Sequence, residues 1–228
     1  MSHFSLAVFH RKDQDIDELL EPYDENLPVE PYVKFMRQEA INYARRYYGA
    51  EQLSDEDCWK MVAQGCETDE EGNIYSTYNQ SSRWDWWEIG GRWKGSLLLN
   101  GNKVDSGRIG DLDFSIDEKA YNKALRFWDV AVDHKPAEPG EDFCSFYNEN
   151  YYQKVYGDRE TYARCMAQFS SFAVLLPDGS WYERGSMGWF GFSDETHEET
   201  REWEENYKAR FLDGADENLL ITVIDCHI

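Results

Sequence analysis

The chain has 228 residues, 45 Asp+Glu against 23 Lys+Arg for a formal charge of −22, and 16 % aromatic residues. A surface this negative repels phosphate backbones and anionic lipid, which excludes general binding to nucleic acid or membrane and leaves basic protein surfaces as partners. The aromatic residues supply the buried area that disordered acidic chains lack, so the chain is expected to fold.

No apolar run reaches the roughly 18–20 residues needed to cross a bilayer, and the first ten residues lack a basic leader. Five cysteines, Cys58, Cys66, Cys144, Cys165 and Cys226, are odd in number and form no CxxC pair. Reduced thiols in a cytoplasm are the expectation. No cofactor or metal is expected.

The first predicted element is a strand over Phe4–Phe9, with Phe4, Leu6 and Val8 on one face and His3, Ser5 and Ala7 on the other. An acidic, proline-containing loop follows from Asp13 to Glu30, after a short helix at Ile16–Leu20. A helix is predicted over Tyr32–Tyr48, stopped by Gly49, and another runs from the cap Ser54 to about Gly65. Ser96–Leu99 and Lys103–Val104 flank Asn100-Gly101-Asn102 as a hairpin. Asp117 caps a helix to about Val132, Asp133–Glu149 reads as a long loop, and Arg159–Gln168 as a helix. Phe172–Leu176 and Trp181–Arg184 form a second hairpin, Glu195–Leu212 a Glu-rich helix and Leu219–Ile228 a closing strand.

Strands at both ends with helices between them predict a single α+β domain over residues 1–228, mostly antiparallel, for which a ferredoxin-like sheet is one economical arrangement. If the last strand lies antiparallel beside the first, His3 and Ser5 meet Asp225 and His227.

Three clusters carry candidate chemistry. Residues 84–95, WDWWEIGGRWKG, hold four of the nine tryptophans. The pair Gly90-Gly91 allows positive φ or a close approach of the backbone to another group. Trp84, Trp86 and Trp93 offer walls for a flat ligand, Asp85 a carboxylate, and Arg92 a fork for a phosphate or carboxylate. The bland alternative is a packing hub with Arg92 paired to Asp85 or Glu88. The second cluster, Trp181 to Gly191, separates Trp181, Glu183 and Trp189 by glycines that do not follow a phosphate-loop pattern. The third is Asp225-Cys226-His227, where Asp225 and His227 share a strand face with His3 as candidates for acid–base catalysis. Alternation turns Cys226 away, as a buried structural thiol. His3-Phe4-Ser5 invites comparison with two-histidine phosphoesterases, but no second His-x-Ser/Thr exists, so that assignment fails.

The strings Leu20-Glu21-Pro22-Tyr23-Asp24-Glu25-Asn26, Tyr78 to Trp93, Trp181 to Gly191 and Asp225-Cys226-His227-Ile228 together resemble a family of bacteriophage and mobile-element proteins with no assigned reaction. Members often carry Pro and Lys where this chain has Gln80 and Arg83. The resemblance implies a phage setting and groups Tyr23 and Glu25 with the tryptophan clusters and the C-terminal strand as one ligand site. The leading expectation is an accessory protein of host conflict that binds a small, polar, nucleotide-like ligand. The alternatives are an acidic DNA mimic that captures a basic host protein through the Glu195–Glu205 row, and a small hydrolase using Asp225, His227 and His3.

Overall fold

A computed structural model describes residues 2–145, 147–188 and 192–228. It is an α+β protein, with seven helices and a six-stranded mixed sheet among the described residues. The chain forms two compact units, one of Met1–Glu21 with Trp84–Ile228 and one of Pro22–Arg83.

The larger unit begins with β1 (His3–His10) and α1 (Ile16–Leu20), which Asp15 caps by accepting the N–H of Asp17. The smaller unit then contributes β2 (Tyr32–Phe35), α2 (Arg37–Tyr47), α3 (Asp55–Ala63) and β3 (Ile74–Ser76). The larger unit resumes with β4 (Trp86–Ile89), β5 (Leu97–Leu99), β6 (Asn102–Val104), β7 (Ser106–Arg108) and α4 (Glu118–Ala131). It ends with α5 (Glu149–Tyr156), α6 (Arg159–Ala167), β8 (Ala173–Leu175), β9 (Trp181–Glu183), α7 (His197–Tyr207) and β10 (Leu220–His227).

In the smaller unit the segment predicted as one helix over Tyr32–Tyr48 divides. Its alternating start pairs with β3, Tyr32 opposite Ser76, and the helix begins only at Arg37, where Glu39 reaches back to the Met36 N–H (2.9 Å). Ile41, Ala44 and Cys58 bury the seam between α2 and α3. Asn79 is buried and donates to the carbonyls of Pro22 (2.8 Å) and Asp24 (3.0 Å), fixing the acidic loop around Tyr23.

In the larger unit the sheet order is β4-β10-β1-β8-β9, with β7 also pairing β10. The two terminal strands lie side by side and antiparallel, in the register His3↔His227 and Ser5↔Asp225, so the condition under which His3 and Ser5 meet Asp225 and His227 holds. Ser2 and Ile228 exchange two further backbone hydrogen bonds (3.3 and 3.2 Å), so His227 is held by pairing on both sides. β1 and β8 are parallel and direct neighbours. A ferredoxin-like sheet would place an antiparallel strand between the parallel pair, so this order differs from it.

One face of the sheet presents Ala7, Phe9, Val174, Ile221 and Val223 to Trp203 and Tyr207 of α7. Phe211 and Leu212, from the π-helical turn Lys208–Leu212, join them. Each such large side chain contributes about 1.5–3 kcal/mol by leaving water. The opposite face buries Leu6, Val8, Leu175, Ile224 and Cys226 completely. α4, α5 and α6 share a second aromatic cluster around Trp128, Tyr152, Tyr156 and Tyr162. Among the described residues no helix is long and apolar enough to cross a membrane.

Candidate functional site

Residues directly opposed in an antiparallel ladder point to the same face. The register of β1, β10 and β4 therefore lines up His3, His227 and Trp86 in one row and Ser5, Asp225 and Glu88 in the next. Both rows stand on the face that carries Ala7 and Phe9.

The two imidazoles are each held by an aspartate. His3 Nδ1 lies 2.8 Å from Asp225 Oδ1, and His227 Nδ1 lies 2.5 Å from Asp85 Oδ1. An ionised carboxylate only accepts, so in both rings Nδ1 carries the proton and Nε2 is the bare nitrogen of the neutral form. The ring centroids are 4.9 Å apart at 75°, and Trp86, about half exposed, stands edge-on to His3 at 6.4 Å. The His227 Nε2 is buried without a hydrogen-bond partner, the kind of exception that marks functional sites.

The glycine pair in the tryptophan-rich segment is explained by what it approaches. Gly91 has φ 49°, and a Cβ there would sit 2.4 Å from the Asp225 side chain. Gly90, with φ 74°, would meet the Asp105 carboxylate at 2.8 Å. The tight backbone lets Arg92 N–H donate to Asp225 Oδ2 (2.9 Å), so this carboxylate, 2 % exposed, is fixed through both oxygens. Asp85 is tied to the same strand end, its N–H donating to the His227 carbonyl (3.0 Å).

In front of His3 lies a cleft of about 300 Å³ bordered by Ser5, Trp93, Ser170, Arg184 and Glu204. Ser5 Oγ accepts the Phe172 N–H (3.0 Å), tying β1 to the start of β8. Arg184 donates to Glu195 (3.0 Å) and Glu204 (3.2 Å), so two carboxylates already neutralise its charge. Sequence reasoning missed this trio, which no motif announces because its members are 20 residues apart at the extremes.

The structure thus brings together His3, Asp225, His227, Asp85 and Trp86, with the Arg92 backbone behind and Trp93 at the cleft wall. Trp84, Trp181 and Glu183 are set elsewhere in the larger unit. Trp84 is buried, its indole nitrogen unpartnered. Trp181 and Glu183 pair with Leu175 and Ala173, which stand opposite Val8 and Leu6, so they occupy the other face of the sheet. There Trp181 donates to Glu183 (2.9 Å) and meets Phe4 edge-on. Trp189 lies outside the described residues. Tyr23 and Glu25 belong to the smaller unit, where the Tyr23 carbonyl accepts the Arg83 N–H (2.8 Å) and Glu25 is half-buried.

Cys226 is fully buried on the opposite face, and burial pushes its thiol well up. In the Glu-rich helix Glu204 turns inward to Arg184, whereas Glu198, Glu202 and Glu205 stay exposed. Among the described residues no group of three or more His, Cys, Asp or Glu could hold a metal ion. No family model, no curated protein and no solved structure matches the chain.

Proposed function

We propose that the protein is a phage-type accessory factor of host conflict whose cleft takes a polar, nucleotide-like ligand, with His3 and His227 as an acid–base pair. The observation that carries the chemistry is the facing pair of aspartate-held imidazoles. With each Nδ1–H committed to a carboxylate, one bare Nε2 takes a proton from an attacking water or hydroxyl. The other ring, protonated at Nε2, returns a proton to the departing oxygen. The new oxygen–phosphorus bond then forms as the old one breaks, and the proton count closes. Trp86 supplies an exposed indole on which a base can stack. The setting in phage and host conflict rests on the WDWW-x-IGGRW resemblance alone.

Incubation with a nucleotide mixture followed by mass spectrometry tests the reading. The native protein is expected to convert at least one compound, and His3→Ala and His227→Ala to lower the rate by about 10²–10⁴-fold. An unchanged mixture would defeat turnover. Calorimetry then asks whether the cleft only sequesters, in which case Trp86→Ala weakens binding.

The exposure of Glu198, Glu202 and Glu205 on one helix favours a second reading, the acidic mimic of DNA. Capture of a basic host protein would then weaken by roughly 10³–10⁵-fold between about 50 and 200 mM salt. It would also weaken when the three are changed to Gln. Insensitivity to both removes this reading.

A further inference from the structure

Next to the cleft in front of His3 lies a second one, of about 310 Å³, and Trp93 lines both. Arg92, Lys94 and Lys103 border it, the first two around the short helical turn Gly91–Trp93 and the third on β6. All three are exposed, and none forms an ion pair among the described residues. In a chain of net charge −22, three unpaired cations on one cleft are a local reversal of sign.

The carboxylates in the same cleft are already engaged. Asp113 accepts the Ser115 N–H (2.9 Å), and Asp117 accepts the N–H groups of Lys119 (2.8 Å) and Ala120 (3.1 Å) as the cap of α4. The Ser115 contacts hold the Asp113 carboxyl below its usual range, so it stays ionised without drawing a lysine to itself. Three cations against these two carboxylates leave a positive balance. Phe114 and Phe169, with centroids 6.0 Å apart, form an apolar floor anchored to the core beneath the sheet.

Gly95 keeps the cations together. Its φ is 73°, its N–H donates to Asp105 Oδ1 (2.5 Å), and Lys103 Cβ packs 3.0 Å from where its own Cβ would stand. The turn carrying Arg92 and Lys94 is thereby laid against the strand carrying Lys103.

We infer that this second cleft is an anion subsite, in which Arg92, Lys94 and Lys103 hold the phosphate of an organic phosphate whose flat ring lies on Trp93, Phe114 or Phe169. The inference rests on the nucleotide-like ligand of the proposed function only in holding that one ligand can reach across Trp93 to the imidazoles. A planar guanidinium flanked by two ammonium groups suits a phosphate oxygen cluster. The arrangement also answers how so acidic a molecule admits an anion: the attraction is local, and screening confines it to about a Debye length.

The test follows the backbone amides of Lys94, Gly95 and Lys103 by NMR during titration with AMP, adenosine and inorganic pyrophosphate. AMP and pyrophosphate are expected to shift these amides, and adenosine to bind at least about tenfold more weakly. Lys94→Gln with Lys103→Gln, both exposed positions, should weaken AMP by at least about tenfold without changing the melting temperature. Equal binding of AMP and adenosine, or an unaltered AMP affinity in the double variant, overturns the subsite. In His3→Ala the AMP-dependent shifts are expected to persist, so absence of turnover and absence of the subsite are read separately. Shifts that vanish in His3→Ala would place the phosphate at the imidazoles and overturn the inference.

Discussion

Asp225 shows how one side chain can organise a site. One oxygen orients His3, the other holds the Arg92 N–H, and only a glycine at 91 leaves room for it. Gly91→Ala combines a strained φ of 49° with a 2.4 Å clash, so the carboxylate or the turn must move. The expected outcome is a melting temperature lower by several degrees and loss of the Nδ1–H tautomer at His3, read from ring-nitrogen shifts. A fully stable variant with that tautomer intact would contradict the account. Asp129 gives a pH prediction far from the site. Arg159 grips it through both oxygens (2.9 Å each) and Lys135 adds a third contact, holding its carboxyl at about 2. A depressed carboxylate stabilises above its unfolded pKa and loses that contribution as pH falls through the folded value. Acid unfolding should therefore steepen between about pH 4 and 2, by at most about 2 kcal/mol, and Asp129→Asn should flatten that segment of the curve.

Among the elements, β10 carries the most. β1 covers one of its edges from end to end, and along the other its second half pairs with β4 and its first half with β7, so one end of that edge presents the site and the other end closes the sheet. Across β1, β10 and β7 runs a polar chain on the face opposite the imidazole pair. His10 Nδ1 donates to the Arg11 carbonyl (3.1 Å), its Nε2 accepts from Thr222 (3.0 Å), and Thr222 Oγ1 accepts from Ser106 (2.7 Å). Thr222→Val leaves the buried His10 nitrogen without a donor and should cost about 1–3 kcal/mol in chemical unfolding, whereas Ser106→Ala, at an exposed end, should cost less. Equal costs would contradict the chain as described.

The terminal strands were legible because their alternation is strict, which puts His3 with Ser5 and Asp225 with His227 on single faces; that the two strands pair was an assumption about the sheet, and given it the meeting of His3 with Asp225 follows from parity. Asp85 as the partner of His227 was not, since 142 residues separate them and only the register of β4 joins them. Trp181 and Glu183 looked like companions of the site by composition. Their face depends on the β8–β9 register, which no local pattern encodes. α5 lies just past the predicted Asp133–Glu149 loop, in a stretch to which the sequence alone assigns no element. Its cap Asn148 and its stop Gly157 (φ 76°) are visible in hindsight, but its tyrosines are weak helix formers whose helical state comes from packing on Tyr162.

On the scale of the whole molecule the charge and the aromatic residues serve different ends. Acids cap helices, as Asp15, Ser54-Asp57, Asp117 and Asp158 show, or line exposed helix faces. Many of the aromatic residues build the cores, whereas Trp86 stands beside the imidazoles and Trp93, Phe4 and Phe172 line the cleft in front of His3. The net charge governs which partners approach, and the cleft by Lys94 and Lys103 governs which small anions are admitted.

The most direct test of the central claim is a long-range proton–nitrogen NMR measurement of the histidine rings, with and without a nucleotide. Both His3 and His227 should show a protonated Nδ1 and a bare Nε2 in the neutral form, and the ligand should move both Nε2 signals together. A ring found with its proton on Nε2, or two rings that do not respond to any nucleotide, would contradict it.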